Sequence, residues 1–280
     1  MPFIQVSIAD RVAELVLDRP EKLNAMHGQM LAEFDAALRE LRESPDVSVV
    51  LLRGNGRAFS VGYDLLDNIE QPGAGTYAVA HDLAQMVELT NRWLEVWDFP
   101  KPIVAAVHGH CLAGAAFLVS MTDVTVVAED LQVGWAKLPL GGGWLSPVFT
   151  HLVGMKRASE LSTLRGSTMS GREAVDLGWA NSAVPADQLL DAARDLAVQT
   201  ARVPLELLVL NKRAIHRTME AMGFRQAITA GVEIDAIAHF TPGATALRGE
   251  LTARGVKEAI QWFDTGGAVG NAAAAPGTDT

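Results

Sequence analysis

The sequence predicts an α/β core followed by a helical region. Apolar runs rich in β-branched residues alternate with helix-spaced segments through the first part of the chain. Beyond about residue 187 only helix-spaced segments remain. Apolar residues make up 49% of the 280 and charged residues 20%, which suits a sizeable core and excludes global disorder. Residues 1–200 are expected to form the core and 201–264 the helical region. Residues 265–280, small and polar with an alanine run, bury too little to repay ordering and read as a flexible tail.

The elements follow in order. Ile4, Val6 and Ile8 alternate with polar residues, Ala9-Asp10-Arg11 turns, and Val12 to Leu17 returns, so the chain opens with a hairpin. Arg19-Pro20 ends it, because proline has no N–H for a ladder. Met30, Leu31, Phe34, Leu38 and Leu41 recur at helical spacing until Ser44-Pro45. Val47 to Arg53 reads as a buried strand. Residues 68–80 read as a mobile loop, and a helix is expected from about Asp82 to Trp97. A strand at Ile103–Val107, a glycine-bearing turn, a helix from about Ala113 to Met121 and a strand at Asp123–Ala128 come next. Ser170-Gly171-Arg172-Glu173 has the form of a capping box. Helices are expected near 187–202, 204–220, 224–239 and 248–263.

Charge and cysteine content narrow the function. A formal charge of −10 gives the chain no general attraction for nucleic acid or anionic lipid. One cysteine, Cys111, cannot form an internal disulfide, which suits a reducing cytoplasm. The start of the chain lacks the pattern of a targeting segment. Pro102 to Thr122 carries no formal charge, but His108, Gly109, His110 and Gly114 favour a buried strand–loop–helix over a membrane span. Gly54-Asn55-Gly56 lacks the third glycine of a dinucleotide loop and reads as a plain turn. His108, His110 and Cys111 lack a further ligand cluster, so no metal is expected.

Two segments point to chemistry. Phe59-Ser60-Val61-Gly62-Tyr63-Asp64-Leu65 and Ala105 to Ala115 each follow a buried strand with small residues, and a helix or turn begins there. Such endings leave backbone N–H groups without intrahelical partners, and their positive dipole end can hold a developing negative oxygen. Ala113-Gly114-Ala115 fits that role and equally fits plain tight helix packing.

In this order, the two segments resemble the crotonase superfamily of enoyl-CoA hydratases and isomerases. Asp18-Arg19-Pro20-Glu21-Lys22-Leu23-Asn24-Ala25-Met26, Lys101 to Gly109, Ser170 to Pro185, and Lys257-Glu258-Ala259 with Phe263 extend the resemblance over about residues 3–264. It implies a crotonase-type spiral of ββα units with a helical C-terminal region that forms homotrimers or pairs of trimers. It implies a coenzyme A thioester as ligand and no separate cofactor. By the same resemblance, the N–H groups of Tyr63 and Gly114 form the oxyanion hole. Lys22, Leu23, Ala25 and Val61 line the nucleotide and pantetheine, and Phe263 covers the adenine or packs in the core.

The chain departs from the family pattern where hydratases carry two glutamates. Phe117 and Lys137 stand at those places, and Gly141 and Gly142 where other members place an aspartate. Phenylalanine cannot transfer a proton; Lys137 can if burial lowers its pKa. His110 is a second candidate, with His81, Glu88, His108 and the Tyr63 hydroxyl behind it. Asp64 is expected to cap a helix. Phe117, Trp135 and Trp144 would make a bulky, apolar acyl pocket. The expected activity is enolate chemistry on a thioester without efficient hydration of simple enoyl chains. The alternatives are a non-catalytic acyl-CoA carrier or regulatory protein, and a thioester hydrolase or decarboxylase.

Overall fold

The computed structural model describes residues 2–66, 79–164 and 166–267. The expected tail from 268 onward and the expected loop at 68–78 lie outside the described residues. The chain opens with antiparallel strands β1 (Ile4–Ala9) and β2 (Val12–Leu17), joined by Asp10 and Arg11 at φ 52° and 62°. Positive φ at both turn positions matches the strand twist of a two-residue hairpin. After α1 (Gly28–Glu43), strand β3 (Val49–Gly54) pairs parallel with β2. Helix α2 (Val79–Trp97) starts three residues earlier than the periodicity predicts.

Strands β4 (Ile103–Val107) and β5 (His110–Leu112) then precede α3 (Gly114–Ser120), and β6 (Val124–Ala128) and β7 (Gln132–Gly134) precede α4 (Ser146–Thr163). This is the repeated strand–strand–helix unit that the resemblance implies. Strand β8 (Thr168–Met169), helix α5 (Gly171–Asp176), strand β9 (Ser182–Val184) and helix α6 (Leu189–Ala201) complete the core. Both halves of the Ser170–Glu173 capping box are present.

A six-stranded sheet runs β1-β2-β3-β4-β6-β9, parallel except for the opening hairpin. Its two faces are buried differently. Leu15, Leu17, Val50, Leu52, Ala105 and Val107 enter the main core, whereas Val49, Leu51, Val104, Ala106 and Val126 pack on Leu189, Ala193 and Ala197 of α6. Burial on both faces explains why these strands are continuous apolar runs. A second, three-stranded sheet, β5-β7-β8, takes the chain after it leaves the first. Gly109, at φ 60°, makes one such exit; a Cβ there would stand 2.2 Å from the Arg57 carbonyl oxygen.

The helical region holds α7 (Leu205–Ala221), α8 (Phe224–His239), α9 (Pro242–Arg254) and α10 (Val256–Asp264). The single helix expected at 248–263 is therefore two, broken at Gly255 with φ 80°. Helix α8 packs against α2 and α4. Phe263 joins Leu138, Leu251 and Ala259 in a small cluster, so α9 and α10 lie over the segment that follows β7. Among the described residues no helix is long and apolar enough to cross a membrane.

Candidate active site

The register of a single bridge brings the two informative segments together. Ser60 pairs with Cys111, and each chain turns three residues later, at Tyr63 and at Gly114. A Cβ on Gly62 would lie 3.3 Å from the Gly114 nitrogen, so the turns are in van der Waals contact. Among the described residues neither the Tyr63 nor the Gly114 N–H donates a hydrogen bond, while their neighbours do. Gly62 N–H donates to Ser60 Oγ (3.1 Å), Asp64 N–H to the Met26 carbonyl (2.9 Å) and Ala113 N–H to the Gly134 carbonyl (2.8 Å). Ala113, which precedes α3, is held at φ 49° and ψ −118°, a conformation that strains any residue with a Cβ. That strain fixes the orientation of the next N–H.

The entry motif braces the first turn. Arg19 Nη1 donates to Asp64 Oδ2 (2.7 Å) and to the Ala25 carbonyl (2.9 Å), so Asp64 holds Arg19. Asp64 Oδ1 also accepts from Leu66 N–H two residues on (3.2 Å), closing a side-chain turn, and the helix it is expected to cap lies outside the described residues. Val61 N–H donates to the Leu23 carbonyl (3.2 Å).

A cavity of about 840 Å³ opens beside the turns. Tyr63, Gly114, Trp135, Lys137, Trp144 and Phe263 line it, whereas Lys22, Leu23, Ala25, Val61, His110 and Phe117 do not. Lys22 is exposed, Leu23 and Val61 are half-buried and Ala25 is buried. The aromatic wall is continuous. Phe117, fully buried, stacks on Trp144 (4.7 Å between centroids, 9° apart), Trp144 on Tyr63 (5.8 Å) and Tyr63 on Trp93 (6.2 Å). Trp144 is fixed by its Nε1–H, which donates to Thr90 Oγ1 (2.7 Å). The Tyr63 ring edge fills the space a Cβ of Gly114 would need, 2.7 Å from Cε2. Its buried hydroxyl has no hydrogen-bond partner, and burial pushes its pKa up.

Lys137 is exposed at the rim, so the burial that would suit it to proton transfer at neutral pH is missing. His110 is half-buried on β5. Burial first, then the charges of Lys137 and Arg57, hold its pKa below the ordinary histidine value. His108 sets its Nε2 2.8 Å from the Gly56 carbonyl and braces the plain turn at 54–56. Burial pushes the Cys111 thiol up, which leaves it unreactive.

The lining also holds a group that the sequence reading passed over. Asp82 of α2 and Asp235 and His239 of α8 all line the cavity. His239 Nδ1 lies 2.9 Å from Asp82 Oδ2, and His239 Nε2 lies 3.6 Å from Asp235 Oδ2. Asp235 Oδ1 accepts from Gly142 N–H at 2.5 Å. Burial raises the Asp235 pKa, against the lowering effect of His239 and the Gly142 N–H. The detectable signal was the i, i+4 spacing of Asp235 and His239 on a predicted helix. Among the described residues no group of three His, Cys, Asp or Glu side chains is placed to hold a metal ion.

Comparison with known proteins agrees with this architecture. The family model for enoyl-CoA hydratase/isomerase matches residues 7–240. A Mycobacterium bovis protein named probable enoyl-CoA hydratase echA8 is 30% identical over 223 residues, covering 78% of this chain and 82% of its own. The hydroxycinnamoyl-CoA hydratase-lyase of Pseudomonas fluorescens is 29% identical over 206 residues, 72% of each chain. The crystal structure of an enoyl-CoA hydratase/isomerase from Xanthobacter autotrophicus Py2 superposes with a TM-score of 0.86 at 32% identity, covering 94% of this chain and 97% of that one.

Proposed function

The chain belongs to the enoyl-CoA hydratase/isomerase family, and from that premise we propose that it binds a coenzyme A thioester and stabilises the enolate of its acyl group. The thioester oxygen sits between the N–H groups of Tyr63 and Gly114. The observation that carries this reading is the pair of undonated N–H groups at equal offset from the Ser60–Cys111 bridge, on the wall of an apolar cavity. Negative charge grows on that oxygen as the α-proton leaves, so fixed donors favour the enolate over the ground state. One such donor is typically worth about 3 kcal/mol of barrier.

The acyl group is flat and apolar, in keeping with the Tyr63, Trp135 and Trp144 rings that line the cavity. The relative named for a hydroxycinnamoyl thioester points the same way. Water addition to simple enoyl chains is not the reaction. The hydratase glutamates are replaced by a fully buried Phe117 and an exposed Lys137, which cannot hold one water between two carboxylates. The exposed Leu207, Leu210 and Ile215 of α7 suit burial between subunits of a homotrimer or a pair of trimers.

The test uses two ligands and one readout. A straight-chain or cinnamoyl-type acyl-CoA should bind more tightly than the S-alkyl-CoA of equal length, which lacks the carbonyl. Its α-protons, in the saturated analogue, should exchange with deuterium from solvent. Equal affinity for thioester and thioether would remove the oxyanion hole from the account. A second reading, a carrier that binds acyl-CoA without converting it, is favoured by the same buried Phe117. Thioester binding with no exchange from any acyl group would select it.

A further inference from the structure

We infer that Arg92 of α2 receives a carboxylate at the far end of the acyl group, so that the substrate class is the coenzyme A monothioester of a dicarboxylic acid. The inference deepens the thioester reading above and rests on it: the body of the acyl group is apolar, and its end is charged.

Two elements place Arg92 relative to the turns. Gln85, Glu88, Leu89 and Arg92 recur at helical spacing on α2 and all line the cavity, so one face of that helix forms a wall and Arg92 is the last of its members. Tyr63 connects this wall to the turns. Its N–H is one of the two proposed oxyanion donors. Its ring passes Gly114, with Cε2, Cδ2 and Cζ 2.7, 3.0 and 3.2 Å from a Cβ built there. The same ring stacks on Trp93, the chain neighbour of Arg92, at 6.2 Å between centroids. The hydroxyl lies one bond beyond Cζ and within the field of Arg92: burial raises its pKa most, and the guanidinium charge pulls the other way. The Tyr63 side chain thus reaches from the turns toward the guanidinium, and an acyl group of similar length spans the same gap.

The hydrogen bonding of Arg92 selects the ligand. Its Nε donates to both oxygens of Asp35 at 3.0 Å, which fixes the plane of the guanidinium. Among the described residues its two Nη groups have no hydrogen-bond partner. A planar pair of N–H donors matches the two oxygens of a carboxylate. Asp35 is the more exposed partner, 29% against 16%, so water screens its charge more than that of Arg92. Glu88, one turn earlier on α2, is exposed and makes no ion pair among the described residues. The neighbourhood is short of acceptors. The Tyr63 hydroxyl and the Trp93 Nε1–H are buried and lack partners, and a buried polar group without a partner is uncommon. The other cations of the lining are placed differently: Lys137 is exposed at the rim, and Arg248 of α9 donates to the His239 carbonyl.

The experiment measures affinities by calorimetry for wild type, Arg92→Met and Arg92→Gln. The probes are glutaryl-, adipyl- and terephthaloyl-CoA, each against its methyl-ended counterpart, pentanoyl-, hexanoyl- and para-toluoyl-CoA. Wild type should bind the carboxylated member of at least one pair about 10–100-fold more tightly. Arg92→Met keeps the length of the side chain and loses its charge. It should abolish that preference and leave the affinity for the methyl-ended thioester unchanged. Arg92→Gln should lose most of the preference as well. A preference that persists in Arg92→Met overturns the assignment, because another cation then holds the carboxylate. If Arg92→Met does not fold, an undiminished preference in Arg92→Gln overturns it. Wild type that binds the methyl-ended thioesters with no preference in any pair overturns the inference and leaves the thioester reading standing. Wild type that binds no thioester overturns both.

Discussion

The turns at Ser60–Tyr63 and Cys111–Gly114 and the cluster of Asp82, Asp235 and His239 line one cavity, yet they depend on different forces. The turns offer backbone N–H groups held in place by packed rings: Phe117 on Trp144, Trp144 on Tyr63, and Tyr63 against Gly114. The cluster offers side chains held by charge and hydrogen bonds between α2 and α8. Damage to the first should appear as lost packing, insensitive to pH. Damage to the second should appear as a change in how the protein responds to pH.

The largest effect is expected from Phe117→Ala. Removing a fully buried ring should cost about 3–5 kcal/mol in urea unfolding, equally at acid and neutral pH. A strong pH dependence would break the comparison. Gly114→Ala comes next. Its Cβ would strike the Tyr63 ring at 2.7 Å, and overpacking of this kind costs about 1–3 kcal/mol, read as a lower unfolding midpoint at unchanged slope.

Thr90→Val removes the acceptor of the Trp144 indole and links the two regions, because Thr90 lies on the same helix, α2, as Asp82. It should cost about 1 kcal/mol of stability and shift Trp144 fluorescence. An unchanged spectrum would mean that the aromatic wall does not need its anchor.

The smallest effect sharpens the contrast. Burial raises the folded-state pKa of Asp235, so its contribution to stability is fully present below the ordinary carboxylate value of about 4 and is lost as pH rises through the folded value. Asp235→Asn keeps an acceptor for Gly142 N–H and abolishes that loss. Melting scans should therefore show the variant gaining on wild type as pH rises from about 4. A gap that stays constant with pH would remove the electrostatic account of this cluster.

The same contrast explains what could be read from the sequence. Strand β4 and helix α8 have the predicted bounds, because each carries its pattern within one short window. The turns were visible because small residues after apolar strands are a local signal. The partnership of Asp82 with His239 spans 157 positions and leaves no local trace. Strands β5, β7 and β8, two or three residues each, are too short to show alternation. Helix α4 was missed because its periodicity is weak: Gly154, at φ 77°, interrupts it and Met155 is exposed. The place of Lys137 at the rim depended on the path of residues 135–145, which no local spacing fixes.

Asn24 carries a consequence for the timing of the chemistry. Fully buried at φ 54°, it gives its amide hydrogens to the carbonyls of Asn55, Ala58 and Phe59 (2.8, 2.9 and 3.0 Å). Its Oδ1 receives the Arg19 N–H at 2.8 Å, and its own carbonyl receives Ser60 Oγ at 2.7 Å. One side chain thus rivets the entry loop to the segment leading into Tyr63 before any ligand arrives. The dipoles of that segment are aligned once, as the chain folds, and no turnover has to pay for aligning them again.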